Sequence, residues 1–243
     1  MMIKRIINIS IYMFFLINVS AYSEEISTKS YTIYIKVPLM PKISFQKIQT
    51  NMNIDKNIFS YSYDVKTLNH IDFIETSESN GKVEGKIING KHLANKYKYE
   101  TIRGGKKRTI EFDYLNEEIN NVMVNPPYDK NNLNIVTNHM IRESIDPIML
   151  FLKLTNYEYI EGCKAIFMVF DGKRRYDISL SHKTIDSNFL TCLMEQNKIG
   201  GYKDKQMLKE SKKTKLIYKK DSMNDFRFHS VEFNDDFFSI IIM

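Results

Sequence analysis

The sequence predicts a mainly β protein, built from one antiparallel sheet with one or two short helices packed on it. Three observations support this fold class. Apolar and polar residues alternate with a period of two in many segments, turn-forming residues separate these segments, and only one segment has a helical pattern. The absence of helical patterns between the strand candidates favours an antiparallel meander over β-α-β units.

Ten segments outside the cysteine-bounded region have strand patterns. They are Tyr31–Val37, Ile43–Gln49, Ile58–Val65, Lys82–Ile88, Leu93–Ile102, Lys107–Leu115, Ile119–Val124, Thr214–Lys219, Phe226–Phe233 and Asp236–Ile242. The 15 Tyr and 15 Phe supply aromatic side chains for a core. Nine Gly and five Pro are few for this many turns, so Asn, Asp and Ser must form the rest.

The strand register of one hairpin can be predicted from its cross-strand pairs. A two-residue turn at Gly104-Gly105 places lysines opposite acids on one face and apolar side chains opposite each other on the second face. The pairs are Lys98 with Glu111, Lys96 with Asp113, Tyr97 with Phe112, and Tyr99 with Ile110. A slip of one residue would destroy both patterns, so the sequence predicts this register together with the turn.

The main helix candidate covers residues 146–154. Asp146 can accept hydrogen bonds from the first free amides, and Pro147 fits the first helical position. The segment is apolar nearly all round, so we expect it to be buried against the sheet. Residues 125–138 precede it, contain Pro126-Pro127 and several Asn, and are predicted to form a surface loop.

Residues 1–21 have the three parts of a secretory signal peptide. Lys4 and Arg5 give a basic start, an apolar run follows over residues 6–19, and Val19-Ser20-Ala21 precedes the predicted cleavage site. Cleavage after Ser23 is the second choice. The apolar run is shorter than the roughly 20 residues that span a bilayer, which favours a cleaved signal over an uncleaved anchor. We therefore expect an exported protein with a single β-rich domain over residues 22–243 and no transmembrane segment in the mature chain.

The net charge argues against a nucleic-acid partner. The chain has 35 Lys and Arg against 29 Asp and Glu, and removal of Lys4 and Arg5 with the signal leaves 33 basic residues and a formal charge of +4. This excess is mild and diffuse, and no nucleic-acid-binding motif accompanies it.

The region between Cys163 and Cys192 contains the strongest turn signal. Asp171-Gly172 between two alternating apolar runs is typical of a two-residue hairpin turn. Such a turn pairs Phe170 with Lys173, Val169 with Arg174, and Phe167 with Tyr176. The resulting apolar face comprises Cys163, Ala165, Phe167, Tyr176, Ile178 and Leu180. The opposite face, where Met168 meets Arg175 and Ile166 meets Asp177, is expected to be half-exposed.

Cys163 and Cys192 are the only cysteines, and behind an export signal they predict one disulfide. Two buried free thiols or a redox pair are the alternatives, and the lack of Cys-x-x-Cys spacing argues against the redox pair. Two strand spacings, about 9–10 Å, would separate the cysteines if all three strands were regular. A disulfide needs Cα atoms within about 7 Å, so one cysteine must lie where its strand ends or bends. Cys163, at the start of its strand, can do so.

The same region resembles the domain-of-unknown-function 3108 family, a group of exported proteins of Gram-negative bacteria. The resemblance rests on Ile145-Asp146-Pro147, Cys163, Val169 followed by the hairpin Phe170, Asp171, Gly172, Lys173, Arg174, Arg175, Tyr176 and Asp177, then Cys192 and Ile199-Gly200-Gly201-Tyr202. It covers roughly residues 140–205, the most characteristic part of the chain, whereas the C-terminal end diverges. It implies a periplasmic location and a curved, partly wrapped, half-barrel-like sheet akin to the envelope lipoprotein carriers. It implies no activity.

No motif in the sequence indicates a catalytic residue, a metal site or a cofactor. The five histidines (His70, His92, His139, His182 and His229) form no ligand spacing and are expected to be structural or surface residues. Ser44-Phe45-Gln46-Lys47 formally matches a Ser-x-x-Lys nucleophile motif, but it lies on a predicted strand without the companion motifs.

Two basic clusters lie at predicted hairpin tips. One comprises Arg103, Lys106, Lys107 and Arg108, and the other comprises Lys173, Arg174 and Arg175. Solvated charge is common at such tips. The alternative is contact with anionic envelope components such as lipid headgroups. Arg174 can also pair with Asp171 or Asp177 and hold its turn.

Three function hypotheses follow. The first is a non-enzymatic periplasmic protein that binds an apolar or lipid-like ligand inside a curved sheet. The second is a scaffold or partner protein of envelope assembly, with a filled core and no cavity. The third, an enzyme of unknown reaction, has the least support. A cavity inside the sheet would separate the first hypothesis from the second.

Overall fold

The computed structural model describes residues 25–36, 42–68, 77–156, 160, 162–210, 213–234 and 239–243. The predicted signal peptide lies outside these residues, as do Val37 and the first part of the strand predicted over Asp236–Ile242. Thirteen strands and three short helices form in the described part of the chain. The strands are β1 (Glu25–Lys36), β2 (Ile43–Asp55), β3 (Ile58–Thr67), β4 (Ser77–Ile88), β5 (Lys91–Arg103), β6 (Lys106–Leu115), β7 (Glu118–Asn125), β8 (Ile166–Phe170), β9 (Arg175–Ile185), β10 (Phe189–Gly200), β11 (Thr214–Lys220), β12 (Phe226–Asn234) and β13 (Ser239–Ile242). The helices are α1 (Asn138–Arg142), α2 (Pro147–Thr155) and α3 (Asp204–Met207).

All 13 strands belong to one antiparallel sheet in the order β7-β6-β5-β4-β3-β2-β1-β13-β12-β11-β10-β9-β8. The chain begins in the middle of the sheet at β1, meanders to one edge at β7, crosses to the other edge at β8, and meanders back to β13. β1 therefore pairs with both β2 and β13. The predicted antiparallel meander is confirmed.

The sheet wraps around on itself without closing. β6 and β8 lie near opposite ends of the strand order, yet the rings of Phe112 on β6 and Phe170 on β8 stack with centroids 5.5 Å apart. A Cβ at Gly172, just after β8, would lie 2.7 Å from the Ile110 side chain on β6. The half-barrel-like shape that the family resemblance implied is thereby confirmed.

Helix α2 packs on the concave side of this sheet, as its apolar sequence predicted. Asp146 caps the helix and Pro147 occupies its first turn. Ile148 and Met149 pack into one buried cluster and Leu154 into a second, so the helix joins both halves of the core. Gly81 on β4 permits this packing because a Cβ there would lie 2.9 Å from Ile148.

The register predicted for the Gly104-Gly105 hairpin is confirmed at all four pairs. Both glycines have positive φ, 53° and 72°, which is the conformation that this tight turn needs and that glycine adopts without strain. Lys98 makes ion pairs with Glu100 at 3.2 Å and with Glu111 at 3.5 Å.

The register predicted for the Asp171-Gly172 hairpin is wrong by two residues. Phe170 pairs with Arg175 instead of Lys173, and Phe167 pairs with Ile178. The cause is Asp171, whose Oδ1 accepts hydrogen bonds from the amides of Lys173 (3.0 Å) and Arg174 (2.7 Å) and so builds a four-residue loop. A shift of two residues keeps every side chain on its predicted face.

The two cysteines have their Cα atoms 5.4 Å apart and their sulfurs within bonding distance. Cys163 precedes β8 and has a φ of 73°, so it lies outside the regular strand, as the spacing argument required. On the other side, the β9–β10 register shifts between Thr191 and Leu193, next to Cys192. The end of one strand and an irregularity in another bring the sulfurs together.

Candidate functional site

A cleft of about 920 Å³ lies between α2 and the concave face of the sheet. Its walls come from β1, β2, the start of β5, the second half of α2 and the β11–β12 turn with the start of β12. The apolar side chains that line it are Tyr31, Met52, Ile54, Met149, Leu152, Phe226 and Phe228. This volume is within the range of about 300–1,000 Å³ that small-molecule sites occupy.

Aromatic rings pack against one another along one side of the cleft. Tyr31 meets Phe228 edge-on, with ring centroids 5.7 Å apart, and Phe151 on α2 packs edge-on against Tyr31 at 5.6 Å. Phe228 also contacts the fully buried Tyr218, whose hydroxyl donates a hydrogen bond to the carbonyl oxygen of Leu154. The helix, the first strand and the C-terminal strands are therefore connected beside the cleft.

The charged residues that line the cleft are mainly cationic: Lys29, Lys153 and Arg227 lie there with Asp225. His92 and four uncharged residues complete the polar lining: Ser27, Thr155, Asn156 and Asn224. Arg227 is already partly neutralised, because its Nε lies 3.1 Å from Asp221 and one of its terminal nitrogens 3.5 Å from Asp225.

Burial disfavours two of these charges. It lowers the pKa of Lys153 below its usual range, with nearby Glu117 acting in the opposite direction. It also lowers the pKa of His92, and the positive charge of Lys153 adds to that effect. An anion in the cleft would favour the protonated form of both groups.

The shifted pKa of a further group, Asp146, has a structural explanation. Its side chain is fully buried at the start of α2, where Oδ1 accepts hydrogen bonds from the amides of Ile148 (2.8 Å) and Met149 (2.9 Å). The hydroxyl of Tyr114 donates to Oδ2 at 2.6 Å. Burial raises the pKa of Asp146 to about 6, although these hydrogen bonds act in the opposite direction. Asp146 is not part of the cleft lining.

The basic residues of the characteristic hairpin have separate roles. Arg174 pairs with Asp171 at 2.8 Å, as the sequence suggested, and half of its side chain remains exposed. Arg175 is buried, with its NH1 nitrogen 2.6 Å from Asp177 and its Nε donating to the carbonyl oxygen of Met140 at 3.3 Å. The expected half-exposed position of Arg175 is therefore wrong, because the four-residue loop moves it opposite Phe170.

The other basic cluster flanks the Gly104-Gly105 turn, at the opposite end of the strands from the cleft. Lys107 pairs with Glu100 at 3.1 Å, and Arg108 stacks on the ring of Tyr128 at 4.0 Å. Arg103 and Lys106 are exposed beside the turn. Contact between this cluster and an anionic surface stays a prediction.

The sequence left open whether the sheet encloses a cavity, and it identified none of the residues that line the cleft. Of the five histidines only His92 lines the cleft, and the others that the structure describes lie outside it. Most lining residues belong to ordinary strand or helix patterns, and Asn156, Asn224 and Asp225 lie in turns, so no local signal distinguishes them. Among the described residues, no group of three or more potential metal ligands occurs, and no helix is long and apolar enough to cross a bilayer.

Comparisons with known proteins give a structural likeness but no relative by sequence. No family model matches the chain, and no curated protein matches its sequence, so the resemblance to the 3108 family stays a prediction. Among solved structures the chain is similar to a β-barrel-like protein of the domain of unknown function DUF1849 from Brucella abortus, with 6% sequence identity and a TM-score of 0.44. The alignment covers 88% of this chain and 93% of that chain.

Proposed function

We propose that the protein is exported and, without catalysing a reaction, binds a lipid-like ligand in the cleft. The observation that carries this proposal is the open cleft of about 920 Å³ inside the wrapped sheet, where seven apolar side chains lie beside cationic ones. A scaffold with a filled core would not need such a space. Burial accounts for the shifted pKa values of Lys153 and His92, so they do not require an enzymatic role.

The ligand we propose has one acidic group and at least one apolar chain. Its apolar part contacts Met52, Ile54 and Leu152, and its acidic group lies near Lys29 and Lys153. Apolar burial provides most of the affinity, and the charge contact sets the orientation of the ligand. A fatty acid or a phospholipid with one exposed acyl chain has this chemistry.

The first experiment is native mass spectrometry of the mature protein purified from the periplasm of an expression host. A co-purifying lipid whose mass matches a fatty acid or phospholipid supports the proposal. The apolar contacts are then tested with a fluorescent fatty acid. Leu152→Trp and Met52→Trp fill the cleft and are expected to weaken binding at least about tenfold. Ile166→Trp, at a side chain 72% exposed on β8 and outside the cleft, is the matched control.

The charge contact is tested by Lys153→Met and Lys153→Arg. The methionine keeps most of the length of the side chain but removes its charge. It should weaken binding of the fatty acid about tenfold and leave binding of the corresponding fatty alcohol unchanged. The arginine should retain both affinities. Absence of lipid in the native spectrum, together with equal probe binding by the cleft-filling variants and the control, would refute the proposal.

A further inference from the structure

The hairpin turns at one end of the sheet lie beside the cleft. The start of β1 pairs with the end of β2, so the β2–β3 turn is at that end, and the β4–β5 and β6–β7 turns follow at the same level. In the other half of the sheet, the β9–β10 and β11–β12 turns lie at this end as well. Asn224 and Asp225 of the β11–β12 turn line the cleft directly.

Each of these turns, and the start of β1, carries an exposed large apolar side chain. We call the six residues the apolar rim: Ile26, Ile58, Ile88, Leu115, Ile185 and Met223. Their exposed fractions range from 49% for Ile88 to 78% for Met223. Single exposed apolar residues are ordinary on a protein surface, but a series beside a ligand cleft marks a candidate contact surface.

The tight turns project these side chains outward. Asn89-Gly90 and Asn116-Glu117 both have positive φ at each position, which makes them two-residue turns without extra loop residues. Ile88 and Leu115 directly precede them and are therefore at the outermost level of the sheet. Among the residues that the structure describes, both side chains are exposed, with fractions of 49% for Ile88 and 59% for Leu115.

Cations slightly outnumber acids around the apolar rim. The segments that form this end are residues 25–29, 54–59, 86–92, 115–119, 183–189 and 219–227, and together they contain eight Lys or Arg and seven Asp or Glu. Two of the seven acids, Asp221 and Asp225, are paired with Arg227, and outside this group the end carries seven lysines and five acids. Lys153 in the cleft adds a ninth cation.

We infer that the apolar rim docks onto a phospholipid bilayer that contains anionic lipid. The apolar side chains enter the headgroup region, lysines contact lipid phosphates, and the mouth of the cleft faces the membrane. A lipid-like ligand could then move between bilayer and cleft without exposing its chain to water. The inference rests on the proposed ligand site, because the apolar rim is chosen as the contact surface for its position beside the cleft.

The test is flotation of the full mature chain with vesicles of phosphatidylethanolamine and phosphatidylglycerol. The triple variant Ile58→Ser, Ile88→Ser and Leu115→Ser should reduce the vesicle-bound fraction at least about tenfold, because membrane affinity scales with buried apolar area. The matched control is the triple variant Ile102→Ser, Ile135→Ser and Ile199→Ser, which removes three exposed isoleucines at the opposite end and should change binding less than twofold. Thermal unfolding checks that both variants remain folded.

Several outcomes would overturn the inference. They are wild-type protein that does not float, equal loss of binding in both triple variants, and loss of binding only when Arg103, Lys106 and Lys107 are replaced. A rim variant that converts a dimer into a monomer without affecting flotation would instead assign the apolar rim to a second copy of the chain.

The fluorescent fatty acid separates this inference from the proposed function. A rim variant that binds the probe normally but does not float supports both proposals. If wild-type protein floats through the apolar rim but binds no probe, the ligand site fails while membrane docking stands.

Discussion

Asp146 is a buried acid whose ionisation reduces the stability of the fold, and replacing it by asparagine tests this. Its pKa rises from the usual 3.8 to about 6 because burial disfavours the charged form. Between these two values the folded protein binds a proton that the unfolded chain does not. Stability therefore falls as the pH rises through this window and is constant above it.

The size of the stability effect follows from the pKa shift of Asp146. Two pKa units correspond to about 3 kcal/mol, the free energy that the charged side chain costs the folded state at pH 7. In Asp146→Asn the side-chain oxygen can still accept the hydrogen bonds from Ile148 and Met149, while the charge is gone. We expect the variant to be at least as stable as wild type at pH 7. Asp146→Ala loses the cap as well and should be about 0.5–2 kcal/mol less stable than Asp146→Asn.

The assay is urea unfolding of wild type and Asp146→Asn at pH 7 and pH 4.5. Wild type should gain about 2 kcal/mol relative to the variant between these pH values, since it takes up a proton in that range. Asp129→Asn is the matched control, because Asp129 is exposed and accepts one backbone hydrogen bond, from Asn131 at 2.9 Å. A stability difference that stays constant with pH, or an asparagine variant more than about 2 kcal/mol less stable at pH 7, would refute the reasoning.

Three further predictions concern the region around the disulfide. Replacing Cys163 and Cys192 by alanine should lower the free energy of unfolding in urea by about 3–4 kcal/mol, as expected for a closed loop of this length. Chemical reduction of the wild-type disulfide should lower it by the same amount. Arg175→Ala should lower the free energy of unfolding by about 3 kcal/mol, because it leaves the carboxylate of Asp177 without its buried partner. Arg174→Ala should lower it by less than about 1 kcal/mol, because the pair with Asp171 is half exposed. Equal losses in the two variants would contradict the burial of Arg175. Gly172→Ala should lower the thermal midpoint, since Gly172 has a φ of 90° and a Cβ there would lie 2.7 Å from a side chain on β6; an unchanged midpoint would show that the loop adapts.

Local chemistry determined much of the fold. The alternation of side chains is fixed by the pleat, so strands and their faces could be predicted from sequence, as could the Gly104-Gly105 register and the cap at Asp146. The Asp171-Gly172 loop was harder, because the two-residue turn and the loop that Asp171 closes give the same faces. Only the hydrogen bonds of Asp171 distinguish them, and they also decide that Arg175 is buried.

The cleft and the apolar rim were decided by tertiary structure alone. Tyr31, Leu152 and Phe228 are far apart in sequence and look like ordinary core residues of a strand, a helix and a strand. They line the same cleft because β1 pairs with β13, β13 pairs with β12, and α2 enters the concave side of the sheet. Sequence patterns record which face of an element is apolar, whereas the curvature of a sheet depends on contacts between its distant ends, such as Phe112 with Phe170. The curvature therefore decides whether the space inside the sheet is filled or leaves room for a ligand.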